Sequence, residues 1–262
     1  QDNMKEIPDS TVDVFIKKPD GTEIYIDITT VKCNKKSFRA LKEKHRYLRG
    51  EWDGYNPRNT SLRVHRALSW LKSAEEVGEN IDLGFISLWI SFNALYGVKD
   101  LDQNYENERS LMKKFFINVL QLDEFKVLAD FTWNEYSNLH RIFINNKYVF
   151  HPFWTYMDGH IDEESWESKL EKSINESKGA LTDQNILKFL EILFDRLYVL
   201  RNQLMHGGAT YNGKVNREQV GLGYQILSKA IPSFIDVLLE NPNHDWGLPT
   251  YLPVDVDESM LM

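Results

Sequence analysis

The feature that most constrains this chain of 262 residues is an almost entirely apolar stretch at residues 83–98. A helix with apolar side chains around its whole circumference is stable only when other elements cover it. Ser87, Ser91 and Asn93 interrupt the stretch, and no apolar run reaches the roughly 18 residues that cross a bilayer. We therefore expect residues 83–98 to form the central helix of a bundle, and we expect no membrane association.

A second long helix is predicted at residues 184–206, where the glycine pair 207–208 ends it. Its leucines recur on one face, as expected for a helix that packs on a core. They are Leu187, Leu190, Leu193, Leu197 and Leu200. One further helix is predicted to begin after Ser61, which is its expected N-cap. Others are predicted at 109–122, 125–144 and 163–178. The last is predicted at 217–239, with a break or kink near Pro232.

The N-terminal part has a different pattern. Apolar and polar residues alternate within 11–31 around a Lys-Pro-Asp-Gly turn at 18–21, which predicts a β-hairpin. A short basic helix is expected at 37–48, and Gly, Pro and Asn cluster in a linker at 53–60. The expected fold is mainly α: a helical bundle at 61–262 with an extended C-terminal tail, preceded by a small α/β appendage at 1–52.

Composition and charge limit the function classes. Cys33 is the only cysteine, so no internal disulfide can form, and the absence of a signal-peptide core fits a cytoplasmic protein. The net charge is −8, yet residues 1–50 hold 11 basic and 8 acidic residues. Lys32, Lys35, Lys36 and Arg39 belong to this basic segment and are candidate RNA contacts. A solvated helix face is the alternative interpretation.

The candidate catalytic residues lie at the end of the predicted helix 184–206. At 100° per residue, Asn202 and His206 lie one turn apart on one face, with Arg201 beside them. Cleaving RNA without a metal needs a group that moves the 2′-hydroxyl proton and a cation that holds the charge growing on the phosphate. A histidine can do the first, and an arginine, with its fixed charge and fork of donors, the second.

The spacing of Arg201 and His206 also fits a simpler interpretation. A cationic histidine can cap a helix end while a neighbouring arginine forms a surface ion pair. Moreover, one histidine is poorly suited to act as both base and acid in one turnover. Two such helices meeting at a dimer axis would place two histidines and two arginines in one cleft.

Three stretches resemble a bacterial group within the HEPN superfamily. They are RVHRALSWL at 63–71, LWISFNALYG at 88–97 and LRNQLMHGGATY at 200–211, followed by NREQV at 216–220. The resemblance covers roughly residues 60–255. It implies a helical domain that pairs through a two-fold axis. It also implies a site in which four to six residues separate an arginine from a histidine, here Arg201 and His206, with Asn202 as helper.

Members of this superfamily typically cut RNA without a metal or other cofactor and leave a 2′,3′-cyclic phosphate. They serve as toxins or phage-defence effectors, so an antitoxin or a defence-system protein is an expected partner. Some carry a tyrosine two residues after the histidine, where this chain has Gly208. Asn93 and Trp89 are candidates to line the cleft, although Trp89 is better explained as core and Asn93 as an amide bonded to a neighbouring helix. A non-catalytic HEPN module that dimerises and binds RNA or a protein is the alternative function.

Residues 8–50 resemble, more faintly, the core of PD-(D/E)xK restriction endonucleases. The matching residues are Pro8-Asp9, Asp13 and Asp27. If the turn centres on Asp20, Asp13 lies opposite Asp27, and two facing carboxylates suit Mg²⁺. The pattern departs from that family at Thr29, where the catalytic lysine should stand. A magnesium-dependent DNA nuclease is therefore a further alternative, beside a docking remnant or two solvated aspartates.

Overall fold

The computed structural model describes residues 13–17, 23–27, 38–50, 52–99, 107–124, 126–133 and 137–252. The chain divides into two compact units, residues 1–37 and 38–262. In the smaller unit, strands β1 (Asp13–Lys17) and β2 (Glu23–Asp27) pair antiparallel. Their register places the backbone of Asp13 opposite that of Asp27. The turn predicted at 18–21 lies outside the described residues.

The larger unit is helical in the part of the chain that the structure describes. Its helices are α1 (Phe38–Arg49), α2 (Tyr55–Glu76), α3 (Ile81–Tyr96), α4 (Glu108–Leu122), α5 (Val127–Trp133), α6 (Ser137–Asn145), α7 (His151–Met157), α8 (Glu163–Thr182), α9 (Ile186–Met205) and α10 (Arg217–Glu240). A 3₁₀ turn, Lys147–Val149, precedes α7. The expectation of a mainly helical bundle is confirmed, and the stretch predicted as one helix at 125–144 contains two, α5 and α6.

Helix α3 forms the centre of this unit, as its apolar sequence predicts. It packs mainly on α2 and α10, and the side chains of Phe85, Phe92 and Leu95 are fully buried. The ring of Phe92 lies 4.8 Å from that of Phe194 on α9 and 5.8 Å from that of Phe234 on α10, measured between centroids. Each buried aromatic side chain removes about 150–250 Å² from water, so this cluster is a main source of stability.

Helix α10 continues through Pro232 as one element, without the break expected there. In the described part of the chain it is the one helix long and apolar enough to span a membrane by length and composition alone. A buried core helix meets the same criterion, and 67% of its apolar window is buried inside the fold. Its residues Ile231, Phe234 and Ile235 are fully buried, which accounts for the apolar composition.

The structure corrects the expected boundary between the appendage and the helical domain. Helix α1 belongs to the larger unit, where Leu41 is buried and Lys44 forms an ion pair with Asp236 of α10. The linker expected at 53–60 is mostly the start of α2, because Pro57 is compatible with a first helical turn. Ser61 is therefore not an N-cap: it lies within α2.

The segment after α10 runs as an extended strap over the start of α2 and the end of α3. Trp246 is buried, and the backbone of Pro249 bridges to Val98. The guanidinium of Arg63, itself fully buried, donates to the carbonyls of Trp246 and Gly247. The extended tail expected after residue 242 is present as far as residue 252, and residues 253–262 lie outside the described part.

Candidate functional site

Helix α9 positions the candidate catalytic residues. Its core face, which includes Leu193, Leu197 and Leu200, is fully buried and fixes the rotation of the helix. Arg201 is therefore only partly exposed, while His206, the C-cap residue, is exposed. Gly207 follows with a φ of 73°, a left-handed conformation that glycine adopts without strain. The glycine stop predicted from the sequence is thus where the helix ends.

The guanidinium of Arg201 is held by neighbouring polar groups. Its Nη1 donates to Oδ1 of Asn202 at 2.9 Å and lies 3.8 Å from Oε2 of Glu108 on α4. The guanidinium carbon lies 5.8 Å from the ring centroid of Tyr198, within reach of a cation–π contact. Nε of Arg201 is buried and has no hydrogen-bond partner among the described residues. One donor of the fork is thus unsatisfied.

Glu108 extends the network to α3. The hydroxyl of Tyr96 lies 2.6 Å from Oε1 of Glu108 and 2.8 Å from Oδ1 of Asn93, so it donates to one of these two acceptors. Burial raises the pKa of Tyr96, and the hydrogen bond that its hydroxyl donates to Glu108 and the charge of that carboxylate raise it further. The phenol therefore stays protonated at neutral pH and supports the Glu108 carboxylate that faces Arg201.

Sequence reasoning missed part of this network. Glu108 shows no signal, because it is the first residue of an ordinary amphipathic helix and lies 93 positions before Arg201. Tyr96 lies in the stretch that resembles the superfamily, yet nothing in its spacing indicates a role. Trp89 is buried in the core, as expected. Asn93 bonds Tyr96 of its own helix rather than a residue of a neighbouring helix, because the two side chains lie one turn apart.

His206 contributes an imidazole at the end of α9. Its backbone N–H donates to the carbonyl of Asn202 at 3.0 Å. Within the described residues the imidazole has no hydrogen-bond partner. Among the described residues the side chain of Asn202 forms no hydrogen bond with this ring, and its Oδ1 accepts from Arg201. The exposed imidazole is accessible to solvent at the end of α9.

The loop after His206 is fixed at both of its ends. Nε2 of Gln203 donates to the carbonyl of Tyr148 at 2.6 Å. At the far end, Arg217 donates two hydrogen bonds of 2.7 Å to the buried carboxylate of Asp82, which raises the pKa of Arg217. The end of α9 and the start of α10 are thereby held in place on either side of the loop.

The other candidate site residues are not brought to α9 in the described part of the chain. Lys32, Lys35 and Lys36 lie outside the described residues, and Arg39 is an exposed residue of α1. The register of the hairpin places Asp13 opposite Asp27, whose side chains are outside the described part. Among the described residues no cluster of three or more His, Cys, Asp or Glu side chains could hold a metal.

One protomer thus provides one exposed imidazole and one anchored guanidinium on the same helix end. The imidazole can accept or donate a proton, and the guanidinium can stabilise an anion. A reaction that needs a base and an acid together requires a second proton-transfer group besides His206. No protein-family model, no curated protein and no solved structure matches the chain.

Proposed function

We propose that this protein is a metal-independent endoribonuclease that acts as a homodimer, with Arg201, Asn202 and His206 of both protomers in one cleft. The observation that carries the proposal is the geometry at the end of α9. Arg201 is oriented by Asn202 and Glu108, and the imidazole of His206 is exposed without a partner in the described part of its own chain. This arrangement offers an electrostatic group and a proton-transfer group for a phosphodiester.

The surface around His206 supports pairing of two copies. Met205, Tyr211 and Val215 are exposed apolar side chains at the end of α9 and in the loop that follows it. Tyr211 accepts a hydrogen bond from Asn80, and Leu83, at the start of α3, is exposed as well. Clustered exposed apolar side chains favour association, and a two-fold axis through this surface would bring two His206 side chains together.

The sequence resemblance supplies the biological setting of the proposal. It suggests a cytoplasmic toxin or phage-defence effector, regulated by an antitoxin or another protein of the same system. The hydrogen bond that Arg201 donates to Asn202 fits the helper role that the resemblance implies for Asn202. The reaction would use the 2′-hydroxyl as nucleophile, which gives a 2′,3′-cyclic phosphate and a 5′-hydroxyl.

The test is RNA cleavage by the full chain in the presence of EDTA. We expect cleavage of single-stranded RNA and none of DNA of the same sequence, since DNA lacks the 2′-hydroxyl. His206→Ala and Arg201→Ala are each expected to lower the rate by about 100-fold or more, because each removes a group that acts in the transition state. His160→Ala and Arg58→Ala, at exposed positions elsewhere, are the matched controls and should cleave at the wild-type rate.

Two alternatives make different predictions in the same assay. The ion pair between Arg201 and Glu108 favours a non-catalytic binding module, because Glu108 partly neutralises the arginine. That function predicts RNA or protein binding with no cleavage by the wild-type chain. The facing positions of Asp13 and Asp27 favour a magnesium-dependent DNA nuclease, which predicts cleavage that EDTA abolishes and that His206→Ala leaves intact.

A further inference from the structure

A groove between α1 and α2 collects cationic side chains from both helices. Lys42, Arg46 and Arg49 occupy positions i, i+4 and i+7 of α1 and so share one face. His65 and Lys72, seven residues apart on α2, line the opposite wall. The two faces bound a partly open cavity of about 190 Å³.

The groove keeps an excess of positive charge. Among the described residues that line it, none is an aspartate or a glutamate. Lys44, on another face of α1, is neutralised by Asp236 and Glu240 of α10. Lys72 lies 3.3 Å from Glu76, but both side chains are more than half exposed, so this pair neutralises little.

Two histidines in the groove have lowered pKa values, chiefly through burial and further through the neighbouring cations. Burial, followed by Arg49 and His65, lowers the pKa of His45 to about 4. Burial, followed by Arg49, Lys42 and one further cation, lowers the pKa of His65. Both imidazoles are therefore neutral at pH 7. The exposed His65 can donate a hydrogen bond to an anion, whereas His45 already bonds a serine of α2.

The shape of the groove suits a nucleic-acid strand rather than an enclosed small molecule. Phe38 and Leu68 provide apolar lining. The volume of about 190 Å³ is below the roughly 300–1,000 Å³ of pockets that enclose small-molecule ligands. A ribose-phosphate unit can occupy it while the strand continues on both sides. Cations spaced along such a track neutralise successive phosphates.

We infer that the groove between α1 and α2 binds the backbone phosphates of a single-stranded RNA and holds the substrate at a place separate from Arg201 and His206. This inference rests on the proposed function for the identity of the strand. Lys42 and Arg46 belong to the basic segment that the sequence already marks as able to meet phosphates. Lys72 joins them only through the packing of α1 against α2.

The test measures binding of a fluorescein-labelled single-stranded RNA to the full chain carrying His206→Ala, so that the RNA stays intact. Adding Lys42→Gln with Arg46→Gln removes two exposed cations from the groove. We expect the affinity at 0.1 M salt to fall by more than about tenfold, and the slope of log affinity against log salt to fall by about 1.4. Free inorganic phosphate at millimolar concentration should not displace the RNA.

The matched control is Lys169→Gln with Lys172→Gln in the same background. It removes the same charge from an exposed face of α8, a helix rich in glutamate. Affinity for RNA should change less than twofold there, and both double variants should keep the wild-type melting temperature. If the groove variant binds RNA no more weakly than this control, the inference is overturned. If the unsubstituted chain cleaves no RNA while the selective loss of binding persists, the nuclease proposal fails and the groove stands.

Discussion

Replacing Arg63 with methionine should destabilise the protein strongly, because this buried arginine joins α2 to two other segments. Its guanidinium donates to the carbonyls of Leu95 and Gly97 at 3.1 and 2.6 Å, at the end of α3. It also donates to the carbonyls of Trp246 and Gly247 at 3.0 and 2.9 Å, in the strap. Arg63→Met keeps the apolar stem and removes these four hydrogen bonds, together with a longer one of 3.5 Å to the carbonyl of Ala94.

The magnitude follows from the acceptors that the substitution leaves behind. The four carbonyls with the shorter contacts would lose their donor in a region where Arg63 is fully buried. An unsatisfied buried acceptor costs about 1–3 kcal/mol, and the lower value applies where a surface segment can shift and admit water. We therefore expect the free energy of unfolding to fall by about 4 kcal/mol. Burial lowers the pKa of Arg63 to about 10, so the group is still charged at pH 7.

The assay is urea unfolding of the full chain at fixed protein concentration, with Arg66→Met as the control. Arg66 donates to the carbonyls of Thr250 and Tyr251 at 2.7 and 2.5 Å near the surface, where water can replace it, so its loss should cost about 1 kcal/mol. With a slope of roughly 2.5 kcal/mol per molar, Arg63→Met should lower the midpoint by about 1.5 M. Equal midpoint shifts for the two variants would refute the reasoning.

Three further predictions concern other positions of the helical unit. The neutral form of His45 stabilises the fold, and this contribution is lost as pH falls from 6.5 through about 4. When the pH is lowered from 7 to 5, the free energy of unfolding of His45→Gln should therefore fall by about 2 kcal/mol less than that of the wild type. Urea titrations at the two pH values measure both losses, and equal losses would contradict the prediction. Gly223→Ala would place a Cβ 2.9 Å from side-chain atoms of both α3 and α9. Thermal melting should therefore report a destabilisation of about 1–3 kcal/mol. An unchanged melting temperature would disprove the close approach. Arg217→Met leaves the buried carboxylate of Asp82 without its cation. Amide hydrogen exchange in residues 206–216 should therefore accelerate, and the RNA cleavage rate should fall. Unchanged exchange would show that the pair does not hold the loop.

The helices that carry the site were predictable because the determining signals are local. The leucine spacing of α9 and Gly207 define one helix and its end, and helical geometry alone sets Asn202 and His206 one turn apart. The predicted start of α2 at Ser61 was wrong, because the Gly and Pro signals at 54 and 57 fit a first helical turn as well as a linker. Gly and Pro therefore indicate that a helix boundary is near, but not on which side of them the helix lies.

The sequence by itself determined that most of the stretch 83–98 must be buried, since no exposed helix tolerates apolar side chains on every face. It also determined the order of Arg201, Asn202 and His206 around one helix. Only the tertiary structure decided that Glu108 meets Arg201, that Arg63 is buried rather than solvated, and that α1 and α2 share a cationic groove. The physical reason is that spacing within a helix is fixed by its own hydrogen bonds, whereas contacts between distant segments depend on the packing of the whole core.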